Sequence, residues 1–200
     1  MIRLSKIISI ILHPIFIPFL LFYIITKTSP VLYYSVENSL LYIYSVLFLF
    51  TFLLPVISLL LKMKFRLISS IEISNLKERP LVLFVSLLWF LCGYYFLIPV
   101  FHLFPVLKNI YVGGVLILLI GGIISKYWKI SLHLLSIGGV TGVFLGLEKI
   151  YTDFFFFVIL FIMLSGFLAY ARLKENAHTH KQLYVGFLVG VIVEYVCLLY

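Results

Sequence analysis

Residues 171 to 190 read ARLKENAHTHKQLYVGFLVG, and the reading of the whole chain turns on them. They form the only long polar interruption between two late apolar runs. Arg172, Lys174, His178, His180 and Lys181 gather there, where a helix would leave a bilayer. Arg172, His178 and Gln182 follow at spacings of six and four, and on a helix starting near His178 the four-residue step puts His178 and Gln182 on one face. A guanidinium, an imidazole and a hydrogen-bonding partner side by side suit an anionic ligand, most simply a phosphate. The plainer reading is a basic membrane-flanking loop, because Lys and Arg collect at helix ends for topological reasons.

Outward from this stretch, composition decides the class. With 64% hydrophobic residues, 18% aromatic and only 11% charged, the chain is no soluble globular domain. Its mean hydropathy is +1.23, and apolar runs of about 20 residues span a bilayer. The net charge of +8 would point to nucleic acid in a soluble protein. Here the basic residues sit in short loops beside apolar runs, as they do where a membrane protein meets anionic headgroups, so no nucleic-acid partner is expected. Cys92 and Cys197 lie inside apolar runs without partner spacing, which argues against a disulfide framework or a metal site. The N-terminal MIRLSK and the apolar run after it resemble a signal peptide, but no small-residue cleavage site follows, so a first transmembrane helix is expected.

Seven apolar runs are bounded by charge, Pro or turn residues, at about 7–26, 39–61, 80–98, 109–125, 131–148, 152–171 and 182–200. The expected fold is therefore an all-α bundle of about seven transmembrane helices in one integral membrane domain, 1–200. Pro14, Pro18 and Pro55 fall inside the first two runs, where they should kink the helices without ending them. His13, before Pro14, reads as a structural polar contact. Pro80 opens the third run where a helix tolerates it best. Pro99 and Pro105 bracket FHLF, which reads as a short interfacial hairpin containing His102.

Seven alternating spans sort the loops onto two sides. The N-terminal side carries Arg3, Lys6, Lys62, Lys64, Arg66, Lys77, Arg79, Lys126, Lys129, Arg172, Lys174 and Lys181, and the other only Lys27, Lys108 and Lys149. Twelve against three places the N-terminus and these loops in the cytoplasm, and nine against three does so without Lys77, Arg79 and Arg172. The polar constellations share that side. EISNLKERP, with Glu72, Lys77 and Arg79, stands before the third span; WKISLHLLSIGG, with Ser131 and His133, opens the fifth; the opening stretch precedes the seventh.

These residues resemble the signature of the type 2 phosphatidic acid phosphatase family, Lys-x6-Arg-Pro, Pro-Ser-Gly-His and Ser-Arg-x5-His-x3-Asp. The likeness runs from about residue 70 to residue 200, after two N-terminal helices within 1–62. Arg79-Pro80 resembles the end of the first motif, Ser131 and His133 the core of the second, and Arg172 with His178 the third. Departures are several: Glu72 stands where the family has Lys, Ile130 and Leu132 replace Pro and Gly, Ala171 replaces Ser, and Gln182 replaces Asp. Lys77 is the candidate substitute for the missing cation.

The resemblance implies a helical membrane phosphatase acting on a phosphorylated lipid, with no metal and no cofactor. The charge bias, not the resemblance, places its site on the cytoplasmic side, most simply of a bacterial inner membrane, although many members of that family act from the outer face. His178 would be the nucleophile that forms a phosphohistidine and His133 the general acid, while Arg79, Arg172 and Ser131 hold the phosphoryl oxygens. Gln182 would orient His178 as a neutral stand-in for the aspartate, which predicts a slow or specialised enzyme. A non-catalytic phospholipid-binding or scaffold protein is the alternative, and a small transporter ranks third because no inverted repeat is visible. Glu194 lies mid-span in the last run, where a carboxylate is expensive and should face the bundle. The glycines at 113–114 and 137–142 read as sites of close helix packing.

Overall fold

The computed structural model describes residues 2–69, 73 and 75–200, and the described chain is built of helices with no strand. The helices are α1 (Ile2–Ile11), α2 (Ile17–Thr28), α3 (Pro30–Lys64), α4 (Arg79–Leu103), α5 (Pro105–Ile124), α6 (Leu132–Tyr151), α7 (Phe155–Lys174) and α8 (His180–Leu199). Among the described residues six of them, α3 to α8, are long and apolar enough to cross a membrane. Twenty residues at about 1.5 Å each reach about 30 Å, the thickness of a hydrocarbon core. The chain has the make-up of an integral membrane protein.

The first apolar run departs from the single kinked helix expected of it. α1 stops at Ile11 and α2 starts at Ile17, each too short to span. Pro14 has no N–H to continue the ladder and drives His13 out of helical conformation. The Ile15 N–H donates to the His13 ring Nδ1 at 3.3 Å instead of continuing the helix. Pro18 sits in the first turn of α2, where it is tolerated.

The helix runs on through Pro55 without ending, as expected. Directly before it α3 widens into a π-type turn over Phe48–Leu53, and the Thr51 hydroxyl donates to the Leu47 carbonyl at 2.7 Å. α3 also begins at Pro30, well before residue 39, because Ser29 caps it by accepting the Leu32 N–H. The hairpin expected between Pro99 and Pro105 is absent. α4 continues through Pro99 to Leu103 and only Phe104 separates it from α5, so FHLF is mostly the last turn of a helix. An apolar setting explains this: leaving a helix there would unpair several carbonyls, whereas one proline disrupts about one bond.

α6 is the most enclosed of the six spans. Phe144 stacks on Phe157 and Phe161 of α7, with ring centroids 5.0 and 5.3 Å away. Against α8 the approach is closer still, backbone against backbone. A Cβ added at Gly190 would lie 2.1 Å from the Leu135 carbonyl oxygen, one at Gly138 2.3 Å from that of Phe187, and one at Gly142 2.4 Å from that of Val191. Gly186 faces the Ser131 carbonyl in the same way, at 2.8 Å. These glycines bring Ser131 and His133 beside the start of α8.

Gly190→Ala should therefore separate α6 from α8 and cost about 1–3 kcal/mol by overpacking. Thermal unfolding in detergent would show it as a clear drop in midpoint. Gly166→Ala, where an added Cβ meets nothing within 4 Å, should leave the midpoint unchanged.

Candidate anion-binding site

The loops after α3, α5 and α7 meet at one end of the bundle, held together by buried hydrogen bonds. Arg79, at the first residue of α4, donates from Nε to the Ile73 carbonyl at 3.0 Å and from Nη1 to the Ile130 carbonyl at 2.6 Å. The Ser131 N–H donates to the Gln182 carbonyl at 3.3 Å, which joins the α5–α6 loop to α8. Below this layer lies a cavity of about 120 Å³ whose polar lining includes Arg79, His133, Arg172, His178 and His13. Two of the five N–H groups of Arg79 serve loop carbonyls, and three remain.

His178 has a defined tautomer. Thr179 caps α8 by accepting the Gln182 N–H, and the Gln182 side chain returns the bond: its Oε1 accepts the Thr179 N–H at 3.1 Å. A backbone N–H can only donate, so the amide oxygen is fixed in place. The same Oε1 lies 3.1 Å from His178 Nδ1. An amide oxygen only accepts, so Nδ1 carries the proton and the lone pair of the neutral ring is on Nε2. The expected pairing of His178 with Gln182 is present, although α8 begins at His180 and not at His178.

Burial pushes the His178 pKa down to about 4; the Gln182 hydrogen bond opposes this, and the positive charges of Arg79, Arg172 and Lys129 add to the lowering. The ring is neutral at pH 7. A neutral imidazole that lines one cavity with two guanidiniums can attack an electrophile or accept a proton from one.

Arg172 is already engaged. Its Nη1 is 2.7 Å from Glu175 Oε2, while its buried Nε has no partner among the described residues. The Ser9 hydroxyl of α1 also donates to Glu175, at 3.2 and 3.3 Å to the two oxygens. The Ser9 carbonyl lies 3.1 Å from His133 Nε2, so that nitrogen donates and the proton of neutral His133 points at α1. His13 packs edge-on against His133 with ring centroids 5.1 Å apart. The N-terminal helix thus closes the site on two of its members. With two guanidiniums and one carboxylate, the cluster keeps a net positive charge, complementary to an anion.

Other residues singled out by sequence stand elsewhere. Ser131 is fully buried and its hydroxyl caps α6 by accepting the Leu134 N–H at 3.4 Å, so it does not line the cavity. Its place in a Ser-x-His pattern is met by the capping role. Lys77 is exposed, with its backbone N–H bonded to the Asn75 side chain, and does not reach the cavity wall. Glu72 lies outside the described residues. Sequence reasoning missed Ser9 and Glu175 as site members and gave His13 no role beyond structure. Glu175 was visible as a carboxylate three residues after Arg172, a helical pairing distance; nothing local marked Ser9, which is 166 residues from its partner.

No family model, curated protein or solved structure matches the chain. What the cluster does is therefore argued from its own chemistry.

The His178 pKa carries a consequence for stability. The unfolded imidazole takes up a proton near 6.5 and the folded one only near 4, so the unfolded state binds more protons between these values. Folding stability from this group is present above pH 6.5 and declines as the pH falls toward 4. Melting wild type and His178→Gln across that range should show a shallower pH dependence in the variant.

Proposed function

We propose that the protein is a membrane-embedded phosphatase-like hydrolase that removes a phosphoryl group from a phosphomonoester or diphosphate on a lipid, through a phosphohistidine on His178. The observation that carries this reading is the fixed tautomer of His178, whose free Nε2 belongs to a ring lining the same cavity as Arg79 and Arg172. In the first step Nε2 attacks phosphorus, the bond from phosphorus to the leaving oxygen breaks, and His133, having taken up a second proton to become imidazolium, gives one to the departing oxygen and ends neutral. In the second, neutral His133 takes a proton from the attacking water, the P–N bond breaks, and inorganic phosphate leaves with His178 neutral again. The Nδ1–H goes on donating to the Gln182 oxygen throughout, and the partial negative charge of that oxygen offsets part of the positive charge that the ring gains. Guanidinium suits the clamp because its planar fork meets two phosphoryl oxygens together.

Two contacts must yield before this can happen. Glu175 occupies Nη1 of Arg172, where a phosphoryl oxygen would sit, and the His133 Nε2 proton faces Ser9. An incoming phosphate displaces the carboxylate, and α1 shifts to free His133. The same two contacts favour a second reading, a protein that binds a phospholipid headgroup without turning it over.

Phosphate release from a panel of lipid phosphates and diphosphates by purified protein separates the two. The hydrolase reading expects turnover that His178→Ala abolishes. Gln182→Glu, which keeps the side-chain length and both hydrogen bonds, should raise it by adding a negative charge beside the imidazolium. Glu175→Gln should tighten inhibition by inorganic phosphate several-fold in that assay. In the binding reading no variant turns over, yet Arg172→Ala still weakens phospholipid binding. A protein indifferent to all of these substitutions would rule out both.

The site is proposed to face the cytoplasm of a bacterial inner membrane. Leaving aside the site residues and α1, the site end of the bundle carries Lys62, Lys64, Arg66, Lys126, Lys129, Lys174 and Lys181, against Lys27, Lys108 and Lys149 at the other. A cysteine introduced at Leu67 should resist an impermeant reagent in intact cells; ready labelling would reverse the orientation.

A further inference from the structure

A second chamber, about 130 Å³ in volume, adjoins the cationic cavity and shares Pro14, Leu83, Phe90, Leu118 and Leu132 with it as common walls. Its lining is apolar apart from Ser136, Tyr111 and Glu194. The Ser136 hydroxyl donates to the His133 carbonyl at 3.0 Å, and the Tyr111 hydroxyl to the Phe90 carbonyl at 2.9 Å. Neither donor is left for Glu194.

Glu194 is buried, and its Oε2 has no partner among the described residues. The fold makes room for this carboxyl from two helices. A Cβ at Gly113 of α5 would lie 2.1 Å from Oε2, and Cβ atoms at Gly139 and Gly142 of α6 would meet the Glu194 side chain at 3.3 and 3.1 Å. Of the glycines that sequence reading assigned to helix packing, Gly113 here seats the carboxyl group, while Gly139 and Gly142 lie against the Glu194 Cγ and Cβ. A carboxyl held in an apolar wall without a donor is costly, and the bundle contains a built space beside it.

We propose that the chamber receives the hydrocarbon chain of the amphiphile whose anionic head sits in the cationic cavity, and that Glu194 accepts a hydrogen bond from a hydroxyl or amine carried on that chain. The placement of the head rests on the phosphoryl-binding reading above; the selection at Glu194 rests on the chamber alone. From His133 to Gly139 along α6 is six residues, about 9 Å of rise, which sets the depth of the recognised group below the phosphoryl seat. Glu194 thereby reads a feature of the chain, while Arg79 and Arg172 read the head.

The test compares two alkyl phosphates with chains about eight carbons long, one ending in a hydroxyl and the other in its methyl ether, at a reach matched to about 9 Å. The pair differs in the donor and in one methyl group, and Glu194→Leu controls for the methyl. Binding to the purified protein should favour the hydroxyl by about tenfold, the scale of one buried hydrogen bond to a carboxyl group. Glu194→Leu should erase the preference, and Glu194→Gln, which keeps the shape, should reduce it. Equal binding of the two esters to wild type, or a preference that survives in both variants, overturns the proposal. Should neither ester bind, the anion reading fails; octan-1-ol and its methyl ether then decide the chamber. A Glu194-dependent preference for the alcohol keeps the Glu194 assignment, and none removes it.

Discussion

Everything at the candidate site depends on how closely α6 and α8 approach. Their glycines meet the partner helix's carbonyls at distances no Cβ could occupy, so the two backbones lie in direct contact. In lipid this contact has no hydrophobic drive, and van der Waals packing of small residues takes its place. Because Ser131 begins α6 and Gln182 stands in the first turn of α8, the same contact aligns the two N-termini and lets the Ser131 N–H reach the Gln182 carbonyl. His133 and His178 come to one cavity as a result.

Polar order at that end is achieved with few side chains. Gln182 serves at once as the reciprocal cap of α8 and as the acceptor that sets the His178 tautomer. A carboxylate would do both with an added charge; an amide does both without one, and the ring stays neutral under the influence of the neighbouring guanidiniums. Arg79 likewise has two tasks, since it pins the loop carbonyls of Ile73 and Ile130 while presenting charge to the cavity. Loss of such a residue disturbs structure and site together, so binding readouts must accompany any activity measurement.

The role of the first 28 residues is the largest revision. Read as one span, they would stand aside from the site. Broken at Pro14, they supply Ser9, His13 and Pro14 to it, and the Ser9–Glu175 and Ser9–His133 contacts make α1 a cover over the cationic cluster.

The sequence by itself determined the class and most of the helices, and it picked out Arg79, His133, Arg172 and His178, which line one cavity. Long apolar runs have only one economical form in a bilayer, and short-range spacing was enough to pair His178 with Gln182. Only the tertiary structure decided the rest. Whether Pro14 kinks or ends a helix depends on whether other groups satisfy the freed backbone, and here His13 offers its own ring nitrogen to Ile15. Whether Ser131 faces a ligand or caps a helix depends on where α6 begins. The bonds of Ser9 to Glu175 and of Arg79 to Ile130 join positions 166 and 51 residues apart, and Glu194 is seated by glycines on two other helices. Contacts of that kind arise from how the helices pack, and no local spacing encodes them.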